Sequence, residues 1–236
     1  ALVDFDGRGH CRLEAGAAVV PEGRFGKGLR LERALSSTAT VPLSLDKMPE
    51  EGTLEYWFAP DDVPQHIYVF GLLLAGDSDV LKLQADTSES LRLCWRKSEG
   101  TYDPQNSFAC ASAQSRDWFR AGQWQHVAME WDQETVRLYV NGMLAGYSTD
   151  RPLPFFRTPS SIRLGTLFSV YAWSGSIDEV RLSRVRRHGP FVPLGAKWTA
   201  LPVAAAEGPE PASAPARQAP PPDFAADRPK LLGQIP

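Results

Sequence analysis

The densest run of chemistry-bearing residues is Glu130-Trp131-Asp132-Gln133-Glu134. Successive side chains on a strand point to opposite faces, so positions 130, 132 and 134 would share one face. Such carboxylates could do acid–base work on a glycosidic bond. A retaining mechanism wants its two carboxyls about 5–5.5 Å apart, and i to i+4 along one strand is farther. The local pattern also opposes it. Asp132-Gln133-Glu134-Thr135 reads as the polar turn between two apolar strands, which takes Glu134 off the strand face. The other reactive side chains form no set. His10, His66, His126 and His188 stand far apart without the spacing of a zinc site. No serine has a nucleophile-elbow context, and no glycine loop is of the phosphate-binding kind.

Two further groups could bind rather than react. Tyr102, Trp118, Tyr171 and Trp173 lie in or beside loops, and Asp103 and Asn106 set polar groups next to Tyr102. Aromatic platforms with polar neighbours suit a glycan; the same residues could instead pack the loop onto a sheet. Trp57, Trp124 and Trp131 fall in strand patterns and read as core. Among the three cysteines, Cys94 and Cys110 flank a loop that could close as a disulfide. Such a bridge is worth about 3 kcal/mol on the chain-entropy model. The alternative is three buried thiols.

These residues need elements to hold them, and the elements read as strands. The chain has 236 residues, 43% hydrophobic and 22% charged, which is globular composition. Its net charge is −3, and the basic residues are scattered apart from Arg181, Arg184, Arg186 and Arg187, which excludes a nucleic-acid footprint. No run approaches the roughly 18 apolar residues of a membrane span. Alternating or apolar segments are predicted as strands at 53–58, 66–75, 80–84, 91–95, 126–131, 136–140, 143–148, 161–165 and 176–184. Asn141-Gly142 is the strongest hairpin signal, because a type I′ turn needs positive φ at both central residues. Some ten to thirteen short strands favour a two-sheet antiparallel sandwich over βαβ units. The stretch 98–122 is too long for a hairpin loop and is predicted to carry a short helix around 111–119.

After Trp198 the composition changes. Between Pro202 and Pro222 stand 7 Pro and 7 Ala, which have almost nothing to bury. The organisation expected is a sandwich over 1–198 and an extended Pro/Ala-rich arm over 199–236. The chain opens Ala1-Leu2-Val3 without a Met, as a processed chain would.

Three stretches together resemble the bacterial laminin G-like domain of the concanavalin A-like lectin/glucanase superfamily: Phe25-Gly26-Lys27-Gly28-Leu29-Arg30-Leu31, then Gly122-Gln123-Trp124-Gln125-His126-Val127-Ala128 running on through Trp131-Asp132 to Asn141-Gly142, then Gly175-Ser176-Ile177-Asp178-Glu179-Val180-Arg181-Leu182. The resemblance implies an all-β jelly-roll of two antiparallel sheets with neighbouring termini. It implies no single activity, since members bind glycans, bind proteins, act as spacers or, in glucanase branches, hydrolyse polysaccharides. In those branches Glu-x-Asp-x-Glu supplies nucleophile, helper and acid/base. The resemblance also implies a structural Ca²⁺ between the N-terminal segment and the last long strand, and carries over to Asp178 alone; Asp4 or Asp6 could add oxygen from the first strand if the termini are neighbours. The function expected is a non-catalytic, extracytoplasmic scaffold module docking another protein subunit through the long loop and the arm. The alternatives are a lectin-like glycan binder and, third, a glycoside hydrolase relative.

Overall fold

The computed structural model describes residues 2–3, 5–7, 10–63, 68–75, 78–85, 91–96, 108–113, 120–149, 158–165 and 171–187. The chain divides into the units Ala1–Ala196 and Lys197–Pro236, and the second lies outside the described residues.

Fifteen strands stand among the described residues of the first unit. In chain order they are β1 (Leu2–Val3), β2 (Arg12–Glu14), β3 (Ala18–Val20), β4 (Gly28–Leu31), β5 (Thr38–Pro42), β6 (Gly52–Pro60), β7 (Tyr68–Ala75), β8 (Ser78–Ala85), β9 (Leu91–Arg96), β10 (Phe108–Ala113), β11 (Gln125–Trp131), β12 (Val136–Val140), β13 (Met143–Ser148), β14 (Ser161–Gly165) and β15 (Gly175–Ser183). One sheet runs β13-β12-β11-β6-β15-β4-β3, with β1 also on β15; the other runs β10-β9-β8-β7-β14-β5-β2. Every pairing is antiparallel.

The core follows from alternation. Leu54, Tyr56 and Phe58 of β6, Val127, Met129 and Trp131 of β11, and Val136, Leu138 and Val140 of β12 point inward. They share one cluster with Phe70, Leu83, Leu93, Trp95, Ile162 and Leu164 of the second sheet. Trp131 needs one concession from its neighbour. Gly52 is its partner in the ladder, and a Cβ there would stand 2.3 Å from the indole ring. The hairpin at Asn141-Gly142 takes φ of 51° and 82°, the left-handed values its turn demands. Asn141 also accepts from the His126 N–H through Oδ1 at 2.9 Å and donates its own N–H to the His126 carbonyl at 2.8 Å. The turn thereby closes the start of β11.

One expectation changes, and one open alternative is resolved at Cys94. The helix predicted around 111–119 is not there over 111–113, because those residues belong to β10; 114–119 lie outside the described residues. Strand β10 pairs all along β9, so a run of small side chains is held in a sheet by its neighbour rather than by propensity. Cys94 is disulfide-bonded, Cys11 is a free thiol, and the backbone of Cys110 lies opposite Cys94 in that ladder.

Gly52→Ala should lower unfolding stability by about 1–3 kcal/mol, because the Trp131 ring must move to admit a methyl group. Denaturant unfolding at unchanged m-value measures it, and a variant as stable as the parent would show that the ring has room.

Candidate functional site

The outward face of the first sheet carries charge where a sandwich normally meets water. Alternation that sends Tyr56 and Val127 inward sends Glu55, Trp57, His126 and Glu130 outward, and β15 adds Arg181. Yet Glu55 is 1% exposed, Glu130 0% and Arg181 6%. The chain itself covers them. After β15 it turns back over the face, where Thr53 Oγ1 donates to the Val185 carbonyl at 2.9 Å and accepts from the Arg187 N–H at 3.0 Å.

Glu55 organises this layer. Its Oε1 accepts from Arg181 Nε at 2.6 Å and pairs with Arg187 Nε at 3.0 Å, and its Oε2 faces His126 Nε2 at 3.2 Å. Burial would raise the Glu55 carboxyl, but His126, Arg181 and Arg187 outweigh it and hold it below its usual range.

The carboxylate run is dispersed. Strand β11 ends at Trp131, so of the three carboxylates Glu130 alone lies on the sheet face. Glu130 is buried, 3.9 Å from Arg137 and from Arg186. Asp132 starts the turn: its Oδ1 accepts from the Glu134 and Thr135 N–H groups, both at 2.8 Å. Its Oδ2 accepts from Arg137 at 3.0 Å and pairs with Arg186. Glu134 is exposed in that turn at the edge of the domain. The three carboxylates therefore do not converge on one point. Burial would raise the Asp132 carboxyl; the two amides and two guanidiniums overcome it and hold it well below the usual carboxylate range.

Asp178 serves a different purpose. Strand β15 bulges here, with two residues, Glu179 and Val180, set against Tyr56 of β6, and Glu179 at φ 54°. The extra residue keeps Ile177, Val180 and Leu182 in the core while Asp178 and Arg181 face outward, opposite Trp57 and Glu55. Asp178 is 0% exposed. Its Oδ2 accepts from the Phe25 N–H at 3.0 Å and its Oδ1 from the Glu179 N–H at 2.8 Å, and the Arg24 N–H adds a further bond. Asp6 Oδ1 accepts from the Lys27 N–H at 3.1 Å. Two aspartates from distant parts of the chain thus pin the loop between β3 and β4. Burial, with Asp6 nearby, raises the Asp178 carboxyl in spite of its three amide donors.

The pinned loop lays two side chains on the sheet. Phe25 meets the Trp57 ring edge-on at 5.9 Å, and the Arg24 guanidinium lies 4.8 Å from the Trp57 ring and 5.1 Å from the Phe25 ring. His126 flanks Trp57 at 5.2 Å. Trp57, expected in the core, is half-buried on the outward face because it alternates with Tyr56 and Phe58. Trp173, open to a platform or a packing reading, takes the packing one: it is 2% exposed and lies against Phe58 at 6.4 Å and Phe70 at 4.9 Å. Tyr171 is half-buried. Tyr102, Asp103, Asn106, Trp118 and Asp4 lie outside the described residues.

Among the described residues no group of three His, Cys, Asp or Glu could hold a metal ion. Asp178 and Asp6 supply two carboxylates against the six to eight oxygens a calcium ion takes, and the bonds to Asp178 come from N–H groups. This donor set fits a loop clasp better than a calcium cage. No helix among the described residues is long and apolar enough to cross a membrane.

Because Asp132 has a depressed carboxyl, its stabilisation is full above the ordinary carboxylate pKa near about 4 and is lost as pH falls. Asp132→Asn should therefore remove about 2 kcal/mol near neutral pH and flatten the acid limb of stability between about pH 5 and 2. Chemical denaturation at a series of pH values reads this, and parallel curves for parent and variant would contradict it.

A sequence profile of Laminin_G_3, described as the Concanavalin A-like lectin/glucanases superfamily, matches residues 34–188. No curated protein matches the chain. Among solved structures, the binding domain of Paraclostridial Mosquitocidal Protein 1 superposes with a TM-score of 0.59 at 14% identity, covering 76% of this chain and 45% of that one. The Botulinum Neurotoxin Type G receptor binding domain gives 0.58 at 11% identity over 79% and 47%. The binding domain of Botulinum Neurotoxin DC in complex with SialylT gives 0.58 at 13% over 75% and 43%. The chain spans less than half the length of these structures, and at such identities they share its fold. With most of the described sandwich inside the matched residues, the chain belongs to the Concanavalin A-like lectin/glucanases superfamily as a laminin G-like domain.

Proposed function

We propose that the chain is a non-catalytic binding module that works outside the cytoplasm. One observation carries this reading: the carboxylates that could attack a glycosidic bond are dispersed, with Glu130 buried beside arginines and Glu134 in an exposed turn. An acid/base pair must reach the same bond from measured positions, and a turn at the domain edge offers none. A disulfide at Cys94 supports an oxidising compartment. The structural neighbours are binding domains, which is compatible with such a module and does not identify its ligand. In this reading the sandwich is a rigid carrier. The long loop and the arm from 199 onward, both largely outside the described residues, would dock another protein subunit. A glycan ligand is the second reading, favoured by Arg24, Phe25 and Trp57 brought together on the outward face. Calcium has no necessary part, because backbone amides already engage Asp178.

Incubation with soluble β-glucan and arabinan should release no reducing sugar above that from Glu130→Gln. Release by the parent that Glu130→Gln abolishes would overturn the reading. Chelator should leave the melting temperature unchanged; a fall that Ca²⁺ restores would return the metal to Asp178.

A further inference from the structure

Arg24 differs from the other arginines of this face. Arg137, Arg181, Arg186 and Arg187 each have a carboxylate partner. Arg24 is exposed and has no ion pair among the described residues, yet its guanidinium carbon rests 4.8 Å from the Trp57 ring centroid and 5.1 Å from that of Phe25. A guanidinium that rests against aromatic rings and has no carboxylate partner keeps N–H donors for a planar oxyanion and has less freedom to lose on binding it. The Trp57 ring beside it is half-buried, so part of its surface still meets solvent. The loop is also expensive to hold. Its two clasps are Asp178, a carboxylate with 0% exposure, and Asp6, and the amides of Phe25, Glu179 and Lys27 already engage their oxygens. Lys27, exposed on the same loop, adds a second cation.

We propose that Arg24, Phe25 and Trp57 form a binding site for a carboxylate-bearing sugar, such as a uronate unit of an acidic polysaccharide. The Arg24 fork takes the carboxylate in the bidentate manner that guanidinium geometry favours. The half-exposed Phe25 and Trp57 offer apolar surface to the C–H face of the ring that carries it. A pyranose presents carboxylate and apolar face as one rigid body, whereas an Asp or Glu side chain of a peptide must give up rotamer freedom to do so. The site rests on the binding-module reading and gives that module a ligand class.

The test is calorimetric titration of the 236-residue chain with polygalacturonate oligomers, with neutral dextran and poly-glutamate as comparison probes. Binding to polygalacturonate alone is the expected result. Arg24→Ala should weaken it about tenfold or more, and Arg24→Lys should fail to restore it, because charge without the planar fork is insufficient. Both variants should melt with the parent, since Arg24 is exposed. Affinity for polygalacturonate unchanged in Arg24→Ala overturns the site while leaving the binding module standing. Absence of uronate binding, or equal binding of poly-glutamate, overturns the ligand class. Cleavage of the oligomers during titration overturns the module reading itself.

Discussion

A carboxylate removed from water must be satisfied by the protein, and Asp178 is satisfied by a loop that lies more than a hundred residues away in sequence. That constraint shapes one end of the outward face. The bulge at Glu179 turns Asp178 to this side, and the amides of Arg24 and Phe25 come to it. Leaving such a group unpaired would cost about 1–3 kcal/mol or more, so the loop has little freedom to lift. The positions of Phe25 against Trp57 and of Arg24 over both rings follow from that anchorage. Strand β1 adds to it by pairing with β15 just past the bulge, which brings Asp6 to the same loop.

Farther along the face the chemistry changes from recognition to closure. Glu55, Glu130 and Asp132 are matched with Arg137, Arg181, Arg186, Arg187 and His126 in a layer under the segment that follows β15. Ion pairs of this sort add little net stability, because desolvation consumes most of their attraction. They do fix geometry, since breaking one partner leaves a buried charge behind. A face locked in this way keeps Glu130 shut off from solvent. The same sheet thus carries a half closed by ion pairs and an end where Arg24 has no carboxylate partner among the described residues.

Much of this was legible in the sequence, for local reasons. The Asn141-Gly142 turn, the polar turn at 132–135 and the alternation of β6, β11 and β12 are encoded by neighbouring residues and stand where expected. The bulge was not legible: Asp178-Glu179-Val180-Arg181 reads as simple alternation, and only pairing with β6 reveals the extra residue. The surroundings of Trp57 and Trp173 are not legible locally either. Trp57 alternates outward, and Trp173 stands beside Gly175, next to a loop in sequence yet inside the Phe58–Phe70 cluster in space. Strands β2, β3, β5 and β10 are short or rich in small residues, and their partners make them strands. The Arg24 site had one signal, the Arg-Phe-Gly-Lys-Gly loop, but nothing local said that a buried aspartate would hold it down.

The clasp at Asp178 is the claim on which the rest stands, and amide hydrogen exchange at Phe25 tests it most directly. Protection close to that of the β15 amides is the predicted result, because this N–H is bonded to a carboxylate shielded from water. Exchange at Phe25 as fast as at the exposed turn residue Gln133 would contradict it and release Arg24 from its fixed place.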